Sequence, residues 1–320
     1  MSNVLIVGAG AWGTALAIQA ARAGQDVALW ARNPARAHEI GASRENPRLP
    51  GVRIPESVSV VDRLPASELI LLAVPLQHMR EISEAVARDG VLVCCAKGIE
   101  TGTNALPLEI LGQTRPGQPA AMLTGPNFAH EIARGLPAGA TVAAADPELR
   151  AGIIRTLATP AFRLYGNEDA VGAQVGAAAK NVIAIAAGAV IGAGLGENAR
   201  AGLVTRGLAE IARLAHGLGG RTETVSGLSG LGDLVLTCAA PASRNYSLGL
   251  ALGRGESLDA ILASRSAVTE GVATGPALVA RARTVGVAMP ICEVVADLVT
   301  GQTTIPDAMN ALLSRPLRDE

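Results

Sequence analysis

The chain has 320 residues, enough for two ordinary domains; it is 49% hydrophobic but carries only two each of Trp, Tyr and Phe, so its core must be built from Ala, Val, Leu and Ile. Lys and Arg number 27 against 28 Asp and Glu, a net charge of −1, and no basic run is present, which removes the electrostatic ground for a nucleic-acid or anionic-membrane partner. Cys94, Cys95, Cys238 and Cys292 have no C-x-x-C spacing, and the four histidines (His38, His78, His130, His216) are scattered, so reduced thiols, a cytoplasmic setting and no metal site are expected.

Met1 leads directly into an apolar run without a basic segment before it, so no secretory signal is expected. Val4–Val7 predicts a first strand. It ends in Gly8-Ala-Gly-Ala-Trp-Gly13, after which Thr14–Ala23 predicts a helix closed by Gly24, and Val27–Trp30 a second strand. The order is that of a β-α-β unit. In that context Gly8-x-Gly10-x-x-Gly13 reads as a dinucleotide-binding turn: the glycines permit a tight bend and close approach of a pyrophosphate to the helix N-terminus, where free N–H groups and the dipole favour anions.

The second strand runs into Arg32 and Asn33, with Arg36 nearby, where NAD-selective turns usually carry Asp or Glu for the ribose 2′-hydroxyl. An arginine suits a 2′-phosphate, which predicts NADPH or tolerance of both cofactors; the alternative is an ordinary surface arginine. Asn33–Pro65, rich in Pro and Arg, reads as a loop-rich excursion. Further strands are expected at Ser57–Val61, Leu69–Val74, Val91–Ala96, Ala121–Thr124 and Thr141–Ala145, with a helical pattern at Leu76–Arg88. Strands alternating with helices indicate a mainly parallel, doubly wound sheet. Lys97 follows the Val91–Ala96 strand, at the edge where such sheets bind ligands. It could meet an anion or polarise a carbonyl, or merely cap an exposed strand end. Leu123-Thr-Gly-Pro-Asn-Phe128 is a second strand end, and offers either backbone donors or only a turn.

After Glu168 the texture changes to long Ala-rich helical patterns at 170–193, 198–217, 223–238, 244–253, 257–263 and 271–285. Residues 1–168 are thus expected to form a Rossmann-like α/β domain, and 169–320 an all-α domain. Gly172 and Gly176 share a helix face, as Gly188, Gly192 and Gly196 are expected to, and so permit close helix packing. The apolar run Val182–Gly196 is short for a membrane span and suits a buried helix.

Lys180 is the one charged side chain between Asp169 and Glu197. Burying a lysine there requires that its charge be paired or lost, and burial lowers a lysine's pKa toward the range useful for proton transfer. The alternative is a side chain that snorkels to the surface. Asp233 follows the glycine-rich Ser226–Gly232 and could either cap a helix or orient Lys180. Ser243-Arg244-Asn245 brings together a hydroxyl, a guanidinium and an amide, a set suited to a phosphate but equally found on helix surfaces.

Taken together, Gly8–Ala17, Ala96-Lys-Gly98, Thr124–Ala129, Gly176–Gly188 with its Lys-Asn, Gly194–Asn198, Gly230–Cys238, Ser243-Arg-Asn245 and Val268-Thr-Glu-Gly271 resemble NAD(P)-dependent glycerol-3-phosphate dehydrogenase of the bacterial cytosolic type, over nearly the whole chain. The resemblance implies reduction of dihydroxyacetone phosphate to sn-glycerol 3-phosphate, supplying phospholipid synthesis, with NADP or NAD as cofactor and a form compatible with a homodimer. It implies that Lys180 is the proton donor and acceptor, with Lys97 and Asp233 as its catalytic partners. Gly125, Asn127, Asn181, Ser243, Arg244 and Asn245 would bind substrate, as would those three. Gly8, Gly10, Ala11, Trp12, Gly13, Arg32, Lys97, Ala129, Arg244, Val268 and Glu270 would bind cofactor. The chain departs from the family at Asn127, where Ser or Thr is commoner, and at Ala11, where Ser is frequent. Other two-domain nicotinamide reductases, of the ketopantoate reductase or hydroxyacid dehydrogenase type, and a non-catalytic NADPH-sensing module are the alternatives; the former would not require the Ser-Arg-Asn cluster, and Lys180 with Asp233 argues against the latter.

Overall fold

The computed structural model describes residues 3–239, 241–265 and 268–314. The chain forms two compact units. One holds the chain up to Lys97 and again Leu106–Gln174; the other holds Gly98–Ala105 and the chain from Val175 onward.

The first unit runs β1 (Asn3–Val7), α1 (Ala11–Arg22), β2 (Asp26–Trp30), α2 (Pro34–Ser43), β3 (Val58–Val61), β4 (Leu69–Leu72), α3 (Met79–Ala85), β5 (Val91–Cys94), α4 (Pro107–Thr114), β6 (Ala120–Thr124), α5 (Ala129–Arg134), β7 (Ala138–Ala143), α6 (Pro147–Leu157) and β8 (Phe162–Asn167). One eight-stranded sheet has the order β3-β2-β1-β4-β5-β6-β7-β8. All neighbours are parallel except β6 and β7. Val4–Val7 of β1 and Ile70–Leu72 of β4 are fully buried, as expected of strands with helices on both faces. The order reverses at β1, which pairs with both β2 and β4, so the ligand crevice of such a sheet lies beyond the carboxyl end of β1.

Three features of this unit differ from the sequence-based expectation. Pro34–Ser43 is a helix, not loop: Asn33 accepts a hydrogen bond from Arg36 N at 3.2 Å as its N-cap, and Pro34 occupies the first turn. The Asn-Pro start signal outweighs the arginine-rich composition. β8 was not expected; its alternation of buried Phe162 and Leu164 with outward Arg163 and Tyr165 is that of an edge strand with one wet face. The predicted Leu76–Arg88 helix is a 3₁₀ turn (Leu76–His78) followed by α3, which stops at Ala85.

The second unit is helical: α7 (Ala170–Gly192), α8 (Gly196–Gly217), α9 (Thr222–Val225), a π-helical turn (Leu228–Gly232), α10 (Asp233–Ala239), α11 (Arg244–Gly253), α12 (Leu258–Ala263), α13 (Glu270–Thr284), α14 (Pro290–Val299) and α15 (Ile305–Leu313). The expected helix over 223–238 is thus broken by the π turn, and α14 and α15 add to the expected series. Among the described residues α7 alone is a single helix long and apolar enough to cross a membrane, and 83% of its most apolar window is buried inside the fold.

α7 is buried by backbone-to-backbone packing. A Cβ on Gly188 would lie 2.0 Å from the Tyr246 carbonyl oxygen, and one on Gly192 2.2 Å from that of Leu250. From α11, a Cβ on Gly249 would lie 1.9 Å from the Ile185 oxygen and one on Gly253 2.3 Å from that of Ala189. Gly196 does not share the face of Gly188 and Gly192; with φ of +86° it opens α8.

Candidate active site

The Gly8–Gly13 turn sits at the carboxyl end of β1, and its glycines answer three separate demands. Gly8 has φ of +117°, and a Cβ there would meet the Ala73 oxygen at 2.8 Å. A Cβ on Gly13 would lie 1.9 Å from the Gly8 oxygen, so α1 enters too close to the turn for any side chain. Gly10 differs: a Cβ there would meet nothing within 4 Å. It is the N-cap of α1, supplies no capping side chain, and the first turn holds no acidic residue. An open, side-chain-free helix N-terminus at a strand switch fits a dinucleotide pyrophosphate. Ala11 and Trp12 form the first turn, and the buried Trp12 Nε1 has no hydrogen-bond partner. At the end of β2, Arg32 is exposed, while the Asn33 side chain is engaged in capping α2. Ala129 begins α5.

Lys97 and Gly125 meet at the same sheet edge. Lys97, beyond β5, donates from Nζ to the Gly125 oxygen beyond β6 at 3.0 Å. Gly125 has φ of +151°, and a Cβ there would be 2.9 Å from Ala140 Cα, so the approach depends on glycine. Beside it Asn127 Oδ1 is buried without a hydrogen-bond partner, an acceptor in a site otherwise rich in donors.

In the second unit Lys180 is buried and paired. It is 7% exposed; its Nζ donates to Asp233 Oδ1 at 2.5 Å and to Thr237 Oγ1 at 2.8 Å. Thr237 in turn donates to Asp233 Oδ1 at 3.3 Å. Asp233, 1% exposed, begins α10 directly after the π turn. That turn presses on α7 one helical turn before Lys180: a Cβ on Gly176 would be 2.8 Å from the Ser229 oxygen and 3.0 Å from Gly230 Cα. α7 and the turn that leads into α10 therefore approach closely enough for a short ion pair because Gly176 leaves no side chain at the contact. Cys238 follows Thr237, and burial pushes its thiol up to about 12 against the opposing pull of Lys180 and Arg200. It stays neutral at neutral pH and does not compete with Asp233 for the ammonium.

Asn181, next to Lys180 on α7, belongs to a chain of amides whose orientation is fixed. Gly271 N donates to Asn245 Oδ1 at 2.9 Å, so Asn245 Nδ2 must face the other way, where it donates to Asn181 Oδ1 at 2.9 Å. The Asn181 amide nitrogen is thereby turned away from Asn245, as a hydrogen-bond donor. Ser243 is the N-cap of α11 and accepts from Tyr246 N at 3.3 Å. Arg244 is exposed and donates to the Val268 oxygen at 2.6 Å, and Arg265 Nη1 donates to the Arg244 oxygen at 2.7 Å. Glu270 begins α13, with Val268 just ahead of it. Thus Lys180, Asn181, Asp233, Asn245 and the 268–271 segment are brought together within one unit, and Lys97, Gly125 and Asn127 within the other.

Thr237 was not singled out from sequence, although its position four residues after Asp233 on one helix face was a usable signal. The role of the Gly271 N–H leaves no sequence signal, because a backbone donor is common to nearly every residue.

A Rossmann-like sheet with a glycine turn, joined in one chain to a helical unit holding a buried lysine–aspartate pair, defines a two-domain nicotinamide-dependent oxidoreductase. The family described as NAD-dependent glycerol-3-phosphate dehydrogenase N-terminus matches residues 3–150, and the corresponding C-terminus family matches residues 169–310. The chain is 55% identical over 316 residues to a glycerol-3-phosphate dehydrogenase [NAD(P)+] of Acidiphilium cryptum, covering 98% of this chain and 97% of that one. It is 50% identical to the Gluconobacter oxydans enzyme of the same name, over 98% and 97% of the two chains. A crystal structure of glycerol-3-phosphate dehydrogenase from Coxiella burnetii superposes with a TM-score of 0.93 at 34% identity, covering 98% of this chain and 99% of that one. The chain belongs to the NAD-dependent glycerol-3-phosphate dehydrogenase family.

Proposed function

We infer that this chain reduces dihydroxyacetone phosphate to sn-glycerol 3-phosphate with NADPH or NADH, reversibly, in the cytoplasm, and so supplies glycerol 3-phosphate for phospholipid synthesis. Residues 1–168 act as the dinucleotide-binding domain and 169–320 as the substrate and catalytic domain. The observation that carries this reading is the buried Lys180 ammonium, held by Asp233 and Thr237 beside the oriented amides of Asn181 and Asn245.

A nicotinamide held at the glycine turn would supply the hydride for the ketone carbon. As charge develops on the ketone oxygen, the Lys180 ammonium donates a proton to it, and Asp233 compensates the ammonium between turnovers. Lys97 adds positive potential from the sheet edge and orders the Gly125 carbonyl. The Arg244 guanidinium and the amides of Asn181 and Asn245 present donors to the phosphate, with Ser243 fixing the start of the helix that carries Arg244 and Asn245. In the reverse direction Lys180 must be neutral to act as base. Toward the cofactor, Gly8, Gly10, Ala11, Trp12 and Gly13 would cradle the pyrophosphate, and Ala129, Val268 and Glu270 would offer further contacts. Arg32 would meet a ribose 2′-phosphate and so favour NADPH, since Ala31, Arg32 and Asn33 put no carboxylate at the end of β2.

The test is a substrate panel followed by NADPH absorbance. Dihydroxyacetone phosphate should be reduced and unphosphorylated dihydroxyacetone should not. Arg244→Ala should raise KM for the phosphorylated ketone; an unchanged KM would favour a reductase of another two-domain type. NADPH binding without substrate-dependent oxidation would favour a sensing module.

A further inference from the structure

Asn46 lies between α2 and β3, in the excursion that composition alone marks as loop. It is 1% exposed, and every polar atom of its side chain is engaged. Arg48 N donates to Asn46 Oδ1 at 3.0 Å, which fixes the amide so that Nδ2 faces the opposite way. There Nδ2 donates to the Ala9 oxygen at 3.1 Å and to Thr14 Oγ1 at 2.7 Å. These two acceptors flank Gly10, one on the turn and one on the first turns of α1.

The segment carrying Asn46 is itself anchored. Ile54 N donates to the Arg44 oxygen at 2.8 Å, Glu45 and Arg53 form an antiparallel bridge, and Leu49 N donates to the Asn46 oxygen at 2.8 Å. Leu49, Val52 and Ile54 sit in the hydrophobic core of the sheet unit. A closed loop held in the core thus delivers one buried amide to the glycine turn.

Resting on the functional reading above, we propose that Asn46 is a positioning residue for the dinucleotide: by holding the Ala9 carbonyl on one side of the turn, it aims the Gly10 N–H out of the opposite side. In a trans peptide the C=O of one residue and the N–H of the next point in opposite directions, so fixing the Ala9 oxygen fixes the Gly10 donor. That donor belongs to the one glycine of the fingerprint whose Cβ direction is open, so no side chain stands beside it. A pre-aimed N–H needs no reorganisation when a pyrophosphate oxygen arrives, whereas a turn free to rotate must be ordered at the moment of binding. Thr14 Oγ1 serves as the second anchor, tying the turn to the start of α1.

The test measures Kd for NADPH by its fluorescence on full-length protein, together with KM for NADPH, KM for dihydroxyacetone phosphate, and apo-protein melting. Asn46→Ala should raise the NADPH Kd by about tenfold, in line with the loss of one or two neutral hydrogen bonds. The loss should fall on KM for NADPH, with KM for dihydroxyacetone phosphate moving less than about twofold; a purely structural pin would not split the two constants. Thr14→Val, which keeps shape and removes only the second anchor, should raise the Kd by about threefold, and it decides the matter if Asn46→Ala does not melt cooperatively. Wild-type protein that fails to bind NADPH would overturn the functional reading and this role with it. Wild-type binding with both variants within twofold of it overturns the role of Asn46 alone.

Discussion

Lys180 Nζ stands 2.5 Å from Asp233 Oδ1, and Thr237 touches both groups, so the buried cation of the helical unit is neutralised inside the fold rather than by solvent. With the two side chains 8% and 1% exposed, each ion's lost hydration is offset mainly by the other. Asp233→Asn or Lys180→Met alone leaves an unmatched buried charge and should cost about 3–5 kcal/mol, read as a shift in urea midpoint. The double variant should lie closer to wild type than either single one. Additive losses would show that the pair is not coupled in solution.

In the proposed mechanism the same ammonium donates a proton to the ketone oxygen. Lys180→Ala should lower kcat by at least ~100-fold, the lower end for general acid–base catalysis, with the NADPH Kd little changed because the proposed cofactor contacts do not include Lys180. Initial rates with dihydroxyacetone phosphate decide it, and near-normal turnover would remove Lys180 from the mechanism.

Much of this is legible in the sequence. A lone lysine in an apolar helix is so costly to bury that it announces a partner, and the β-α-β order of Val4–Trp30 fixes both the fold and the meaning of its glycines. What was not legible is pairing across distance. Asp233 could equally have been a helix cap, and only the close approach of Gly176 to the Ser229–Gly230 turn brings it to Lys180. Asn46 sits among prolines and arginines, and nothing in its neighbourhood reveals that its amide reaches a turn more than thirty residues earlier. β8 escapes such a reading because an edge strand with one wet face carries few apolar residues, and α2 because Arg36 and the flanking Arg32 and Arg44 mask the Asn-Pro start.

The glycines of the dinucleotide turn should separate into structural and ligand-facing ones. Gly13→Ala drives a methyl into the Gly8 carbonyl and should lower the melting temperature of the cofactor-free protein. Gly10→Ala places its methyl in open space, at an N-cap φ of −81° that alanine adopts readily. It should melt near wild type yet bind NADPH at least about tenfold more weakly. Loss of binding without loss of stability is the signature sought, by thermal melts and fluorescence titration in parallel.

Helix-facing glycines of the second unit make an opposite pair. A Cβ on Gly249 would sit 1.9 Å from the Ile185 oxygen, against backbone that has no rotamer by which to move. Gly249→Ala should cost about 3 kcal/mol, the upper end for overpacking. Gly202, exposed on α8 with nothing within 4 Å, should tolerate alanine and gain up to about 1 kcal/mol of helix propensity. Chemical denaturation of the two variants side by side checks both signs.

Glu210 gives the fold a pH dependence whose sign can be worked out. It lies on α8, 2% exposed, and accepts from Ile291 N at 2.8 Å and Cys292 N at 3.3 Å, so its carboxylate serves as the N-terminal cap that α14 otherwise lacks. Burial raises its pKa above the ordinary 4.5, while the two backbone N–H groups and Arg213 pull it down without cancelling the rise. A carboxyl with a raised folded-state pKa binds its proton more tightly when folded. Its contribution is therefore fully present below 4.5 and is lost as pH rises through the folded value. Glu210→Gln removes the titration while keeping an acceptor for one N–H. The stability of wild type relative to this variant should thus decline between pH 4.5 and neutrality, measured as the difference in urea midpoints. A difference that grows in favour of wild type over that range would mean that the helix N-terminus stabilises the charge by more than burial costs.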